Sequence, residues 1–85
     1  MAKEIVVYGA DWCGDTRRTL KHLDDTKVEY KYIDIDADAD GEAKVIEWNK
    51  GKRRIPTLEL GSGASATRLS VPSDSDLDAA IAKLI

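Results

Sequence analysis

Phenylalanine is absent from these 85 residues, cysteine and methionine occur once each, and proline occurs twice. A single cysteine excludes any disulfide within the chain and any zinc site built from cysteines alone. No apolar run approaches the roughly 20 residues that a membrane-spanning helix needs. Met1-Ala2-Lys3-Glu4 leads directly into a short apolar run, without the long apolar core of a secretory signal. Thirteen Lys and Arg against sixteen Asp and Glu leave a net charge of −3, which offers no bulk positive field to nucleic acid or an anionic membrane. The expectation is a cytoplasmic monomer with neither nucleic-acid nor membrane partners, its Cys13 reduced at rest.

What remains is ordinary globular material, 42% hydrophobic and 34% charged. A chain of this length buries about 60–65% of its unfolded surface, which supports a thin core. Residues 1–85 are read as a single domain, without internal repeat or linker.

Ile5-Val6-Val7-Tyr8, ended by Gly9, has the β-branched pattern of a strand buried on both faces. Gly14 to Asp25 is rich in helix formers, with Leu20 and Leu23 on one face. Val28 to Asp36 alternates as a second strand, Val28, Tyr30 and Tyr32 facing one way and Ile33 and Ile35 ending the run on the other. A second helix is expected over 40–50, with Ala43, Ile46 and Lys50 on one stripe, Val45 and Trp48 beside it, and Gly51 as a left-handed cap. Ile55 to Leu60 reads as a strand, turned at Gly61-Ser62-Gly63 into a returning strand over Ala66 to Ser70. Pro72-Ser73-Asp74-Ser75-Asp76 opens a last helix with Leu77, Ile81 and Leu84 as its buried stripe. The order β-α-β-α-β-β-α implies a right-handed parallel crossover followed by an antiparallel hairpin in one mixed sheet, an α/β fold with helices on both faces.

Chemistry is expected at Trp12-Cys13-Gly14-Asp15-Thr16, between the first strand and the first helix. Unpaired N–H groups of the first helical turn, together with the helix dipole, favour a thiolate there. Arg17 and Arg18 add positive charge one turn on, and Asp15 opposes them. A lone cysteine is commonly just a small buried hydrophobe. Neighbours as polar as Asp11, Asp15 and two arginines point instead to a working thiol.

Tyr8 at a strand end, Trp12-Cys13-Gly14-x-Thr16-Arg17, and Arg53-Arg54-Ile55-Pro56-Thr57 together resemble the glutaredoxins of the thioredoxin superfamily, most nearly the short mycoredoxin-like bacterial proteins. The resemblance extends to Val71-Pro72-Ser73 and implies a thioredoxin-like fold of four strands in the order 2-1-3-4 with three helices. It also implies that Pro56 is cis and faces Cys13, leaving the Ile55 backbone to pair with a bound thiol peptide. The family's second cysteine is replaced by Thr16, so internal resolution of a mixed disulfide is chemically closed to one chain. The implied activity is monothiol exchange with Cys13 as nucleophile, a low-molecular-weight thiol such as glutathione as co-substrate, S-thiolated proteins as partners, and no tightly bound cofactor. Thr16 is then placed to hydrogen-bond the thiolate or to serve as an ordinary first-turn threonine. Trp12 either stacks on a ligand or packs. Arg17, Lys52, Arg53 and Arg54 are candidates to meet a carboxylate, or are solvated turn charge. The family's Gly-Gly segment before the last helix is missing from 67–73, where Ser73 and Asp74 either contact the charged end of a thiol peptide or cap their own helix.

Two other functional classes fit the same residues. Monothiol glutaredoxins with Cys-Gly-x-Ser motifs carry an iron–sulfur cluster between two subunits, and Cys13-Gly14-Asp15-Thr16 matches that motif in part. A thioredoxin fold kept only as a binding surface is the other. Separately, Asp36-x-Asp38-x-Asp40-Gly41-x5-Glu47 has the full spacing of a calcium-binding EF-hand loop. Its context fails: a strand precedes it, and Lys44 stands at the ninth loop position. An acidic loop leading into a helix is the expectation. His22, nine residues beyond Cys13, is about two and a half turns away and is read as a surface side chain.

Overall fold

The computed structural model describes residues 5–61 and 66–84, so Met1-Ala2-Lys3-Glu4 and the expected turn at Ser62-Gly63 lie outside the described residues, as does the side chain of Leu84. Seven elements follow in the expected order: β1 (Ile5–Gly9), α1 (Gly14–Asp25), β2 (Lys31–Asp34), α2 (Ala39–Trp48), β3 (Thr57–Leu60), β4 (Thr67–Ser70) and α3 (Asp74–Leu84). They form one four-stranded mixed sheet in the order β2-β1-β3-β4, the order the resemblance implied. β1 is parallel to β2 and antiparallel to β3, and β3 is antiparallel to β4.

β1 is buried throughout because its alternate side chains enter two different cores. Ile5 and Val7 join Leu58 and Leu60 of β3, Leu23 of α1, and Leu77 and Ile81 of α3 on one face. Val6 and Tyr8 meet Ile35 and Val45 of α2 on the other. The alternation before α2 divides in the same way: Val28, Tyr30 and Tyr32 pack on the α1/α3 face, and Ile33 and Ile35 on the α2 face. Tyr8 and Trp48 meet edge-on at 5.4 Å, and the Arg68 guanidinium lies 4.5 Å over the Trp48 ring.

Several boundaries differ from the sequence reading. β2 spans only Lys31–Asp34, not Val28–Asp36, since pairing is confined to Val6–Gly9 of β1. β3 begins at Thr57 rather than Ile55 because Pro56 has no N–H to donate to a ladder. In α2 the buried residues are Gly41 and Val45, whereas Ala43 and Lys50 are exposed; the stripe lies one residue off the expected one. Asp38 caps this helix by accepting the Gly41 N–H at 2.9 Å.

The ends of α1 and α2 share a motif. After α2, the Gly51 N–H reaches the Ile46 carbonyl at 2.8 Å, and the left-handed residue that closes the turn is Lys50 (φ 56), with Gly51 also left-handed (φ 91). After α1, the Val28 N–H reaches the Leu23 carbonyl at 3.0 Å, with Lys27 (φ 57) in the left-handed position. A left-handed backbone costs an L-residue about 1–2 kcal/mol, while glycine loses about 0.5–1 kcal/mol more entropy on ordering. Lys27→Gly is therefore expected to stabilise the fold by about 0.5–1 kcal/mol, read as a rise of a few degrees in the thermal midpoint.

Candidate functional site

The turn from β1 into α1 places Cys13 as the N-cap residue of α1, with extended backbone (φ −85, ψ 121). Its N–H donates to the Ala10 carbonyl and its carbonyl accepts the Arg17 N–H, so the turn is fixed by backbone bonds at 3.0 and 3.1 Å. A serine in this place would cap the helix, but the Cys13 side chain makes no cap bond. The half-buried Sγ lies 3.9 Å from the Ile55 carbonyl oxygen, the reach of a weak S–H···O contact. A thiolate cannot donate to that carbonyl, and the start of a helix carries N–H groups without intrahelical partners.

The Ile55–Pro56 peptide is cis. Thr57 secures the segment: its Oγ1 donates to the Arg54 carbonyl at 2.7 Å and accepts from Asn49 Nδ2 at 3.1 Å. On the far side, the Pro56 carbonyl accepts the Val71 N–H at 2.8 Å. The Ile55 N–H has no partner among the described residues.

Trp12 stands 65% exposed at the rim, its Nε1 donating to Asp36 at 2.7 Å. Asp36 also binds Arg53, whose Nε reaches Glu42 at 2.8 Å. Three chain segments are thus joined beside the thiol. The residues of the EF-hand spacing are placed elsewhere: Asp36 in the rim, Asp38 as a helix cap, and Asp40, Gly41 and Glu47 within α2. Among the described residues, no three His, Cys, Asp or Glu side chains converge on a metal-sized site.

The other predicted site residues are distributed unevenly. Thr16 is wholly buried, and its Oγ1 accepts the Ala10 N–H at 3.4 Å; no hydrogen bond joins it to Cys13. The side chain has turned to the back of the helix, against Gly9. Ser73 caps α3 by accepting the Asp76 N–H at 3.1 Å. Asp74 is drawn to Arg18 at 2.8 Å and lies 3.7 Å from His22, so neither it nor Ser73 presents a free group to the thiol. Arg18 also donates to the Pro72 carbonyl at 3.1 Å and lies 3.8 Å from Asp15, so its contacts run to α3 and along α1. Arg17, Lys52 and Arg54 are exposed and without an ion pair among the described residues. Sequence reasoning missed the roles of Asp36, Arg18 and Val71, each of which acts across a long stretch of chain.

Burial raises the Tyr32 phenol, and its hydrogen bond to Asp11 at 2.9 Å raises it further. His22 is raised chiefly by its 2.7 Å bond to Asp78, helped by the nearby Asp74 and Asp25 and opposed by partial burial. A histidine held above its unfolded value of about 6.5 stabilises the fold fully below that pH, and loses the contribution as pH rises through the folded value. Asp78→Asn should therefore lower the His22 midpoint in an NMR titration. The stability gap between wild type and variant should be full below about pH 6.5 and narrow as pH rises through the raised folded value.

A family model described as glutaredoxin matches residues 5–62. No curated protein matches the chain. Among solved structures, a wheat glutaredoxin superposes with a TM-score of 0.67 at 20% identity, covering 94% of this chain and 77% of its own. Thioredoxin O2 from Arabidopsis thaliana gives 0.66 at 20% identity, over 96% of this chain and 74% of that one. The oxidised thioredoxin of Plasmodium falciparum gives 0.63 at 25% identity, over 95% and 79%. No helix among the described residues is long and apolar enough to cross a membrane.

Proposed function

The chain belongs to the glutaredoxin family, and from that premise we propose that it is a monothiol thiol–disulfide oxidoreductase acting on mixed disulfides between proteins and a low-molecular-weight thiol. The observation that carries this reading is the position of Cys13, the only cysteine, at the start of α1 and 3.9 Å from the carbonyl before the cis proline.

Cys13 Sγ, as thiolate, attacks the small-thiol sulfur of the mixed disulfide. A new Sγ–S bond forms, the old S–S bond breaks, and the protein thiolate leaves with the electron pair and takes a proton from water. A second small thiol, glutathione or similar, then attacks the adduct and leaves as the symmetrical disulfide, restoring Cys13. The oxidising equivalent thus passes from the protein to the small thiol. The Ile55 N–H, without a partner among the described residues, pairs with the bound chain, Pro56 shapes the groove, and Trp12 walls it. Arg17 and Arg54 meet its carboxylates.

The test is direct. The reduced chain is exposed to hydroxyethyl disulfide and to oxidised glutathione, and mass spectrometry reads the adduct, with Cys13→Ser as the blank. An adduct that a small thiol then removes supports the reading. A thiol that alkylates slowly and forms no adduct overturns it.

A further inference from the structure

β4 is an outer strand of the sheet, with β3 on one side and no strand among the described residues on the other. Between its free side and α3 runs a groove of about 420 Å³, lined by Leu69, Ala79 and Ala80 and by Asp76 and Lys83, about two turns apart along the helix. Asp76, Ala79, Ala80 and Lys83 fall at i, i+3, i+4 and i+7, one face of α3, next to the Leu77 and Ile81 stripe that packs against Leu58 and Leu60 of β3. Neither Asp76 nor Lys83 has an ion pair among the described residues.

The strand register fixes which backbone groups the edge leaves open. The Val71 N–H reaches the Pro56 carbonyl at 2.8 Å, one step beyond the Thr57–Ser70 pair. Bonded pairs alternate along an antiparallel ladder, so Leu69 and Thr67 also bond inward to β3. Arg68 and Ser70 therefore turn their N–H and carbonyl groups outward. An open row of this kind is a template for another strand, and proteins commonly guard it with charge. The one charged side chain of β4, Arg68, is instead laid over Trp48 of α2 and bonded to Glu59 of β3.

We propose that β4 and α3 form an interface to a second copy of this chain, joined edge to edge about a two-fold axis, where the sequence alone leads to the expectation of a monomer. Arg68 opposite its own copy would set like charges against each other. Ser70 opposite its own copy would set Arg68 against Pro72, which has no N–H to give. Leu69 opposite its own copy avoids both. Arg68 and Ser70 of the second copy then exchange backbone bonds on either side of the axis, and the two Leu69 side chains meet on the α3 face. The same axis brings the helices together. With strands about 4.8 Å apart, helices lying over β3 and β4 come within about 10 Å, an ordinary packing distance, and Ala79 and Ala80 leave room for the approach. The paired helices run antiparallel, so each Asp76 meets Lys83 of the other copy, and the surface is complementary to itself. Cys13 belongs to the Ser70 end of the sheet, so the two thiols lie at opposite ends of the joined sheet and both stay open.

The experiment is sedimentation equilibrium of the reduced chain from about 10 μM to about 1 mM, a range that reveals even a weak dimer. The mass is expected to rise from one chain toward two. Asp76→Lys and Lys83→Asp, both surface changes whose folding circular dichroism checks, should each weaken self-association about tenfold, because two attractive contacts become repulsive. An equimolar mixture of the two variants should pair as tightly as wild type, since every cross-contact is again Lys to Asp. Cys13→Ser should dimerise as wild type does. A chain that stays single at the highest concentration leaves the groove to a strand of another protein and overturns the proposal. Variants that associate as wild type does, or a mixture that fails to pair, overturn it as well. A dimer lost with Cys13 is bridged through the thiol and overturns it too.

Discussion

Gly9→Ala is expected to destabilise the fold by about 2–3 kcal/mol, a drop of roughly 10–20 °C in the midpoint of thermal unfolding for a domain of this size. A Cβ at Gly9 would stand 2.5 Å from Thr16 Oγ1 and 2.6 Å from Thr16 Cγ2, well inside contact distance. Neither partner can give way easily. Gly9 is the last residue of β1, paired to Asp34 of β2, and Thr16 is wholly buried in the first turn of α1. The Thr16 hydroxyl is also held by the Ala10 N–H. The added methyl must therefore push α1 away from the end of β1 and carry Cys13 with it, so slower exchange should accompany the loss of stability. Thr16→Ala removes both clashing atoms but leaves the Ala10 N–H without its side-chain partner, and alone should cost about 1–2 kcal/mol. The double variant should then be less destabilised than the sum of the two singles, by about 1–2 kcal/mol in a double-mutant cycle. Additive costs would show that the close approach of Gly9 to Thr16 is not what limits the site.

The same contact shows which parts of the molecule were legible in the sequence. Elements built on local periodicity were readable: the β-branched run at Ile5–Tyr8, the Leu77 and Ile81 pair of α3, and the Asp and Ser residues that open helices. Their type depends on neighbours three or four positions away. Boundaries that depend on a partner were not readable. β2 stops where β1 offers no further pairing, and no feature of Val28 to Tyr30 announces this. Lys27 and Lys50 hold left-handed positions that glycine usually fills, so the expected signal pointed to Gly51, one residue late. The candidate site divides in the same way. Cys13 was legible because a strand end and a helix start meet there. The cis geometry of Pro56 was legible only through family resemblance, since a strand-initial proline is equally compatible with the local pattern. Arg18 was read as charge for the thiol because Asp74, its actual partner, lies 56 residues away. Asp36 was read within an acidic spacing and instead holds Trp12 and Arg53 at the rim. Thr16 carried two readings of similar weight, and burial decided between them.

On the exchange reading proposed above, Thr16→Cys is expected to change the chemistry outright, giving a dithiol that resolves its own adduct without a second small-thiol molecule. Residues three apart across a helical turn hold their Cβ atoms about 5–6 Å apart, near the 3.5–4.5 Å of a disulfide, and the extended backbone of Cys13 gives that end of the pair freedom to close. Oxidation by hydroxyethyl disulfide should then yield an intramolecular disulfide, two mass units below the reduced chain, where wild type yields a stable adduct. The burial of Thr16 sets the direction of attack: the introduced sulfur sits inside, the adduct on Cys13 faces the groove, and the inner thiolate displaces the small thiol from behind. Two costs accompany the gain. The Ala10 N–H exchanges a hydroxyl acceptor for a weak sulfur one, and the reduced variant should be less stable by about 1 kcal/mol. The oxidised variant should recover about that amount or less, because a four-residue loop restricts the unfolded chain only slightly. Mass spectrometry after exposure to a small disulfide reads the result. Persistence of the single adduct on the folded variant would mean that the side chain at position 16 stays turned to the back of α1, away from Cys13. In that case the helix start presents one sulfur to the groove whatever residue follows three positions later, and monothiol behaviour is a property of this backbone as well as of the missing cysteine.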